Sequence, residues 1–369
     1  MQPTTNDTIA ASDWSGVRVL VTGGASFIGS HLVDRLVGAG AHVRVADDFS
    51  SGTLENLAES LDRIDLRTGD LRESEFARDA SADQQLVFHL AAKHGGRGFI
   101  DTHPADCASN LVLDGVVFAE ALRAGVERVC FASSACVYPV GRQARPVDGG
   151  TRVLLQEPWA DPFAVEGASS DGEYGWAKLM GEMALTAYHK QYGLSSVSCR
   201  LFTAYGPREN ETHAIVALIA KAFVGQDPFE IWGDGSQERN FTYVGDIVDG
   251  MMRAALRIDD SSAVNIGTAE HVRVIDAART IFAIIGHEPA ALNFDTTKPV
   301  GVYSRAADLT RARELLEWEP SHGLQEGLRR TVEWYTATHD RAQVAANLET
   351  LLNERASNPE HPPRPELVT

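Results

Sequence analysis

Positive charge is scarce in this 369-residue sequence: 33 Lys and Arg stand against 51 Asp and Glu, a formal net charge of −18. An acidic surface repels phosphate backbones and anionic headgroups, so nucleic acid and the membrane surface are excluded as partners. An anionic small molecule is not excluded, because a few bases can be gathered in one cleft. Cysteine is scarcer still, with Cys107, Cys130, Cys136 and Cys199 alone. Their spacing suits neither a metal site nor a disulfide framework, so no metal is expected and the thiols read as reduced, in a cytoplasm. No apolar run reaches the roughly 18 residues that a membrane-spanning helix needs. The first residues, Met1-Gln2-Pro3-Thr4-Thr5-Asn6-Asp7, lack the basic and apolar regions of a signal peptide. No internal repeat is visible. What is present, 44% hydrophobic and 23% charged residues, suits one large or two modest globular domains.

The apolar run Val17-Arg18-Val19-Leu20-Val21 ends in Thr22-Gly23-Gly24. A helical pattern follows, with Ile28, Leu32, Leu36 and Val37 on one face, and Val43–Ala46 reads as a second strand: one βαβ unit. Strand-like runs recur at Ile64–Arg67, Leu86–Leu90, Val126–Ala132, Ser195–Arg200 and Ala263–Ile266, with helical patterns at Pro104–Ala124 and Tyr174–Tyr192. Such alternation predicts an α/β fold with a doubly wound parallel sheet. After about residue 200 the segments shorten: helices at 213–224, 274–285 and 323–337 and a strand at Phe229–Trp232. The expected division is a flexible N-terminus over 1–14 and a cofactor-binding unit over 15–200, to which strands from about 240–267 return. A smaller, mainly substrate-binding region follows over 201–345, then a tail over 346–369 that is disordered beyond about 355. The Pro-, Gly- and acid-rich stretch 142–172 reads as a long functional or disordered loop.

Gly23, Ser26, Phe27, Ile28 and Gly29 lie in a glycine-rich turn that follows a strand and opens a helix. There the helix N-terminus attracts a pyrophosphate. The middle glycine of the usual fingerprint is replaced by Ser26. Asp47 ends the second strand, where a carboxylate accepts hydrogen bonds from an adenosine ribose and repels a 2′-phosphate. The cofactor expected is therefore NAD rather than NADP. Asp70 and Leu71, after the third strand, would flank the adenine. Tyr174 and Lys178 stand four apart and share a helix face; an ammonium beside a phenol lowers its pKa. Ser134, after the fifth strand, sits where an open sheet places ligands.

With His89-Leu90-Ala91-Ala92 added, these elements make residues 15–340 resemble the extended short-chain dehydrogenase/reductases that act on nucleotide sugars. The resemblance implies a Rossmann fold, bound NAD, a nucleotide-diphosphate sugar as substrate and a homodimer. It also implies hydride exchange at sugar C4, with Tyr174 as base, Lys178 lowering its pKa and binding the nicotinamide ribose, and Ser134 holding the C4 oxygen. Ala91 and Lys93 fall on the cofactor side of the family's pattern. The residues beside Ser134 narrow the subfamily. Ser133-Ser134-Ala135-Cys136-Val137-Tyr138-Pro139 and the segment Ala91–Arg97, with Gly95, Gly96 and Arg97, are similar to GDP-mannose 3,5-epimerases. His213 opens an apolar run as in GDP-fucose synthase, where a His partners the Cys.

A plain dehydrogenase needs no thiol and imidazole besides Ser134, Tyr174 and Lys178. Epimerisation beside a transient ketone does, since one group takes a carbon-bound proton and another returns one on the opposite face. A lone Cys after a buried strand is ordinarily core, and a lone His at a helix start is ordinarily a cap. At matching family positions Cys136 and His213 read as the proton-transfer pair. By the same resemblance Gly95, Gly96, Arg97, Lys221, Gln237, Arg239 and Arg305 are the expected substrate contacts, with Lys221, Arg239 and Arg305 facing the diphosphate, while Trp232 reads as core. The leading expectation is a GDP-mannose 3,5- or 5-epimerase. A UDP-hexose 4-epimerase, which Asp47–Asn56 resembles, and an NADPH-dependent 4-keto-sugar epimerase-reductase remain alternatives.

Overall fold

The computed structural model describes residues 13–146, 152–164 and 169–353. Strands β1 (Arg18–Thr22), β2 (His42–Asp47), β3 (Asp65–Thr68), β4 (Leu86–His89), β5 (Arg128–Ser134) and β6 (Ser195–Leu201) join a last strand, Asp260–Ile266, in one seven-stranded sheet. All neighbours run parallel, in the order Asp260–Ile266, β6, β5, β4, β1, β2, β3. Strand order reverses between β1 and β4, which opens a crevice at their carboxyl ends. The alternation in β1 shows why both faces are covered. Val19 and Val21 enter one core, with helices Phe27–Gly38 and Val244–Arg257. Leu20 enters the other, against Ser74–Ser81, Asn110–Arg123 and Gly172–Tyr192.

Buried polar joints fix the strand ends that face the crevice. The Thr22 hydroxyl accepts from the amides of Leu90 and Ala91, at 3.1 Å each, and lies 2.8 Å from His89 Nδ1. His89 Nε2 is 3.0 Å from Asp114 Oδ1. Burial holds the His89 pKa below the ordinary value, so the ring is neutral and donates to that carboxylate. On the same face of the sheet Arg200 forks onto Glu182 with contacts of 2.7, 3.0 and 3.2 Å, and the Ser133 hydroxyl donates to the same carboxylate. This pair ties the Gly172–Tyr192 helix to β5 and β6.

The outer region contains the helix Ala214–Val224 and the paired strands Phe229–Trp232 and Leu292–Asp295. A three-stranded ribbon of Glu238–Arg239, Val272–Arg273 and Ser304–Arg305 completes the wall. Several details depart from the sequence expectation. Trp14 is fully buried 5.9 Å from Phe88, so the chain enters the core before residue 15; positions 1–12 lie outside the described residues. The helix expected over Pro104–Ala124 breaks at Ser109 into Pro104–Ala108 and Asn110–Arg123. Helix Arg341–Asn353 occupies the start of the expected tail, and 354–369 lie outside the described residues. Within 142–172 the described parts are anchored. Leu155 bridges to Ala307, and Glu157 accepts the Asn265 amide at 2.9 Å. Residues 147–151 and 165–168 lie outside. Among the described residues no helix is long and apolar enough to cross a membrane.

Candidate active site

A cavity of about 560 Å³ lies where the carboxyl ends of β5 and β6 face the outer region. Ser134, Cys136, Tyr174, Lys178 and His213 all line it. A second cavity of about 60 Å³ reaches Asp47, Asp70, Leu71, Ala91 and Lys93, and the two share Gly23, Ser26 and Leu90 in their walls. Two close backbone approaches bring the chemistry together. A Cβ on Gly175 would lie 2.2 Å from the Cys136 carbonyl oxygen, and Asp171 donates its amide to that oxygen at 2.8 Å. The helix carrying Tyr174 is thus seated on the turn carrying Ser134 and Cys136. A Cβ on Gly96 would lie 1.7 Å from the Thr212 carbonyl oxygen, which docks the 91–97 loop on the turn carrying His213. Neither contact tolerates a side chain.

The phenol of Tyr174 is pushed up in pKa by burial and then by Cys136; the hydrogen bond from Ser134 opposes this. The expectation of a lowered phenol is corrected on that point: desolvation outweighs the neighbours. Lys178 is 1% exposed, with its Nζ 4.5 Å above the Phe131 ring and without a hydrogen-bond partner among the described residues. Burial lowers its pKa, opposed by Asp114 and Glu182. A buried ammonium in the cavity wall with unused donors fits the ribose hydroxyls of a dinucleotide.

Asp47 fits the same group from the other cavity. It is buried, and each oxygen accepts one backbone amide, Ala25 and Phe49, at 2.9 Å. Lone pairs remain on both oxygens. Burial raises its pKa to about 6, partly offset by those amides. Ser26 caps the Phe27–Gly38 helix in extended backbone without a side-chain cap bond, and its hydroxyl lies 3.4 Å from that of Ser51. Asp70 is forked by Arg72, and Lys93 bonds the Ser50 hydroxyl at 2.7 Å and faces Asp48 at 3.7 Å.

On the substrate side the cations divide. Arg305 donates to Cys136 Sγ at 3.3 Å, Gln143 at 2.6 Å and Asp171 at 3.0 Å. Asp171 also receives Arg97 at 2.8 Å, and Arg97 pairs with Asp101 as well. Arg305, expected at the diphosphate, lines the cavity with its guanidinium packed on the thiol. Arg239 donates to the carbonyls of Glu238, Val300 and Tyr303 and has no carboxylate partner among the described residues. Burial and the nearby Arg305 pull its pKa down to about 9. Lys221 is bound to the carbonyl and carboxylate of Glu230 at 3.1 Å each.

Trp232, expected in the core, lines the cavity instead. Its indole donates to Glu230 at 2.9 Å, and the ammonium groups of Lys221 and Lys298 lie 5.6 and 5.3 Å from its ring. Gln237 is buried beside it, with its side-chain oxygen lacking a hydrogen-bond partner among the described residues. A two-residue alternation placed Glu230 and Trp232 on the face opposite Ile231, which is fully buried; that period was the available signal. His94, Asp171, Glu209 and Glu230 were not singled out from sequence. His94 lies 6.2 Å from the Tyr174 ring and 5.9 Å from His213.

A family model described as the NAD dependent epimerase/dehydratase family matches residues 19–267. GDP-mannose 3,5-epimerase 1 of Oryza sativa subsp. indica is 33% identical over 323 residues, 86% of this chain and 81% of that protein. UDP-glucose 4-epimerase of Mycolicibacterium smegmatis is 33% identical over 326 residues, 86% of this chain and 98% of that protein. The crystal structure of the UDP-glucose 4-epimerase of Thermotoga maritima with UDP-glucose superposes with a TM-score of 0.75 at 29% identity, covering 87% of this chain and 99% of that one.

Proposed function

We propose that this chain, which belongs to the NAD-dependent epimerase/dehydratase family, inverts C3, C5 or both in GDP-mannose. Membership makes it an NAD-dependent enzyme of nucleotide-sugar chemistry. The observation that carries the finer reading is Cys136 in the cavity wall beside Tyr174, with the Arg305 guanidinium 3.3 Å from its sulfur. A thiol so placed serves carbon-bound proton transfer and has no part in simple hydride return.

Asp47 would hold the adenosine ribose of NAD, the turn Gly23–Gly29 its pyrophosphate and Lys178 its nicotinamide ribose. Bound NAD supplies a hydride acceptor and donor, which lets a sugar hydroxyl carbon stand briefly as a ketone. Tyr174 takes and returns the hydroxyl proton, and Ser134, hydrogen-bonded to that phenol, holds the same oxygen. A ketone acidifies the hydrogens on both neighbouring carbons. Cys136 removes one of them, and His213 returns a proton on the opposite face. Arg239, without a carboxylate partner among the described residues, takes the diphosphate. Glu230 beside the Trp232 ring suits guanine. Its carboxylate accepts from adjacent N–H groups of that base, whereas uracil sets carbonyls on both sides of its single N–H. A homodimer is part of this reading, supported by exposed Leu111, Val112, Trp176 and Met180 on two adjacent helices.

Incubation with GDP-mannose in D₂O tests it. Deuterium is expected at C3 or C5 of the recovered sugar. Cys136→Ala should lose inversion by about 10²–10⁴-fold, the usual contribution of a positioned proton-transfer group, while retaining NAD. Conversion of a sugar nucleotide without deuterium gain would replace this reading by a UDP-hexose 4-epimerase, which returns hydride to C4 and exchanges nothing with water.

A further inference from the structure

We infer that Glu209 stores the proton that His213 delivers, so that carboxyl and imidazole act as one acid. The inference rests on the reading of His213 as a proton-transfer group. Glu209 closes the turn before helix Ala214–Val224. Its side chain is 2% exposed, yet it belongs to the cavity wall. Oε1 lies 3.5 Å from Nδ1 of His213, and Oε2 makes no hydrogen bond among the described residues. A carboxyl left in this state ionises at a high cost in desolvation. Burial accordingly pushes its pKa well above the usual carboxylate range, against the Gly206 amide, which favours the protonated carboxyl.

The charged groups packed around the pair are turned elsewhere. On the same turn Arg208 pairs with Asp34 and Glu59, and Glu211 accepts from the Tyr335 hydroxyl and faces His339. On helix Ala214–Val224, Lys221 is held by Glu230. On the facing 91–97 loop, Lys93 bonds Ser50 and Arg97 pairs with Asp101 and Asp171. His94 of that loop approaches His213 edge-on at 5.9 Å and lies 6.2 Å from the Tyr174 ring.

An isolated imidazole is mostly neutral at pH 7 and is then a poor acid. Transfer of the Glu209 proton to Nδ1 creates imidazolium and its counterion together, so the pair stays neutral overall. The imidazolium then gives its Nε2 proton to the carbanionic carbon, leaving neutral imidazole and carboxylate. Cys136 has meanwhile become a thiol by taking the carbon-bound proton. The cycle closes when that thiol gives one proton to water and Glu209 takes one back. Glu209 is thus a positioning residue that acts through His213.

The pH profile of GDP-mannose inversion tests this in the NAD-loaded full-length enzyme. In Glu209→Gln the alkaline limb should move down by about one pH unit, because the imidazole titrates without its acidic partner. Reduction of bound nicotinamide on mixing with GDP-mannose should be unchanged. A Glu209→Gln profile that superposes on wild type after scaling overturns the inference, since a merely structural loss lowers all pH values alike. Should that variant not fold, ¹⁵N-histidine NMR of the wild-type protein decides, with His213 assigned by His213→Gln. A His213 ring that is neutral at pH 7, with the stored proton on the carboxyl, is expected, and a ring already imidazolium at pH 7 overturns the inference. Failure of the underlying reading looks different: His213→Gln would then invert at the wild-type rate.

Discussion

Arg200 and Arg239 are both buried guanidinium groups, one in the sheet wall of the cleft and one in the outer wall, and their surroundings differ. Arg200 is forked onto Glu182, and the remaining oxygens and donors of that network go to Ser133, Tyr138 and the Glu157 carbonyl. Among the described residues Arg239 has only backbone carbonyls as partners, and two further guanidinium groups nearby, Arg97 and Arg305, both reach Asp171, with Asp101 also on Arg97. The same contrast holds for His89, closed between Thr22 and Asp114, and Lys178, whose ammonium has no hydrogen-bond partner among the described residues. A charge completed inside the protein contributes to folding, and one left incomplete beside a cavity is available to a ligand.

Three variants can break or sharpen that contrast. The largest effect is expected at Glu182. Glu182→Ala leaves Arg200 buried without a counterion and should cost about 3–5 kcal/mol of stability, read as a lowered denaturation midpoint. Affinity of the folded fraction for GDP should not change. Arg239→Gln should behave the opposite way. GDP binding by calorimetry should weaken by about 1.5–3 kcal/mol, the range for a hydrogen bond to a charged group. Thermal stability should hold or rise, because an uncompensated buried charge has gone. If Arg239→Gln unfolds the protein while GDP affinity stands, the outer wall is as structural as the sheet wall. The smallest effect is expected at Asp47. Ribose hydroxyls donate to the ionised carboxylate, whose pKa is raised to about 6 by burial. Wild-type NAD affinity should therefore fall as pH drops through that value. Asp47→Asn should bind NAD about 1 kcal/mol more weakly at pH 8 and show no such fall. A wild-type affinity flat from pH 5 to 8 would remove Asp47 from the ribose site.

Much of this arrangement was legible without coordinates where the signal is local. The β1–turn–helix unit around Gly23–Gly29 follows from a strand period giving way to a helix period, and the structure builds it within a residue of the expected bounds. Ser134, Cys136, Tyr174 and Lys178 lie on segments with clear periods, and they converge because consecutive parallel strands put their carboxyl ends in one crevice. The break at Ser109 was not legible, since the apolar pattern runs through it without a Pro or Gly to mark it.

The sequence by itself determined the doubly wound sheet, the glycine turn and the inventory of acid, base and nucleophile, because each is written in neighbours a few residues apart. Tertiary structure alone decided what those groups face. Arg305 rests on Cys136, 169 positions away, where a diphosphate contact had been expected. Trp232 joins the cavity wall because its strand, paired with Leu292–Asp295, turns one side outward. Burial raises the Tyr174 phenol although a lysine lies one helical turn away. Desolvation and long-range pairing depend on which distant segments close over a residue, and no local period encodes that.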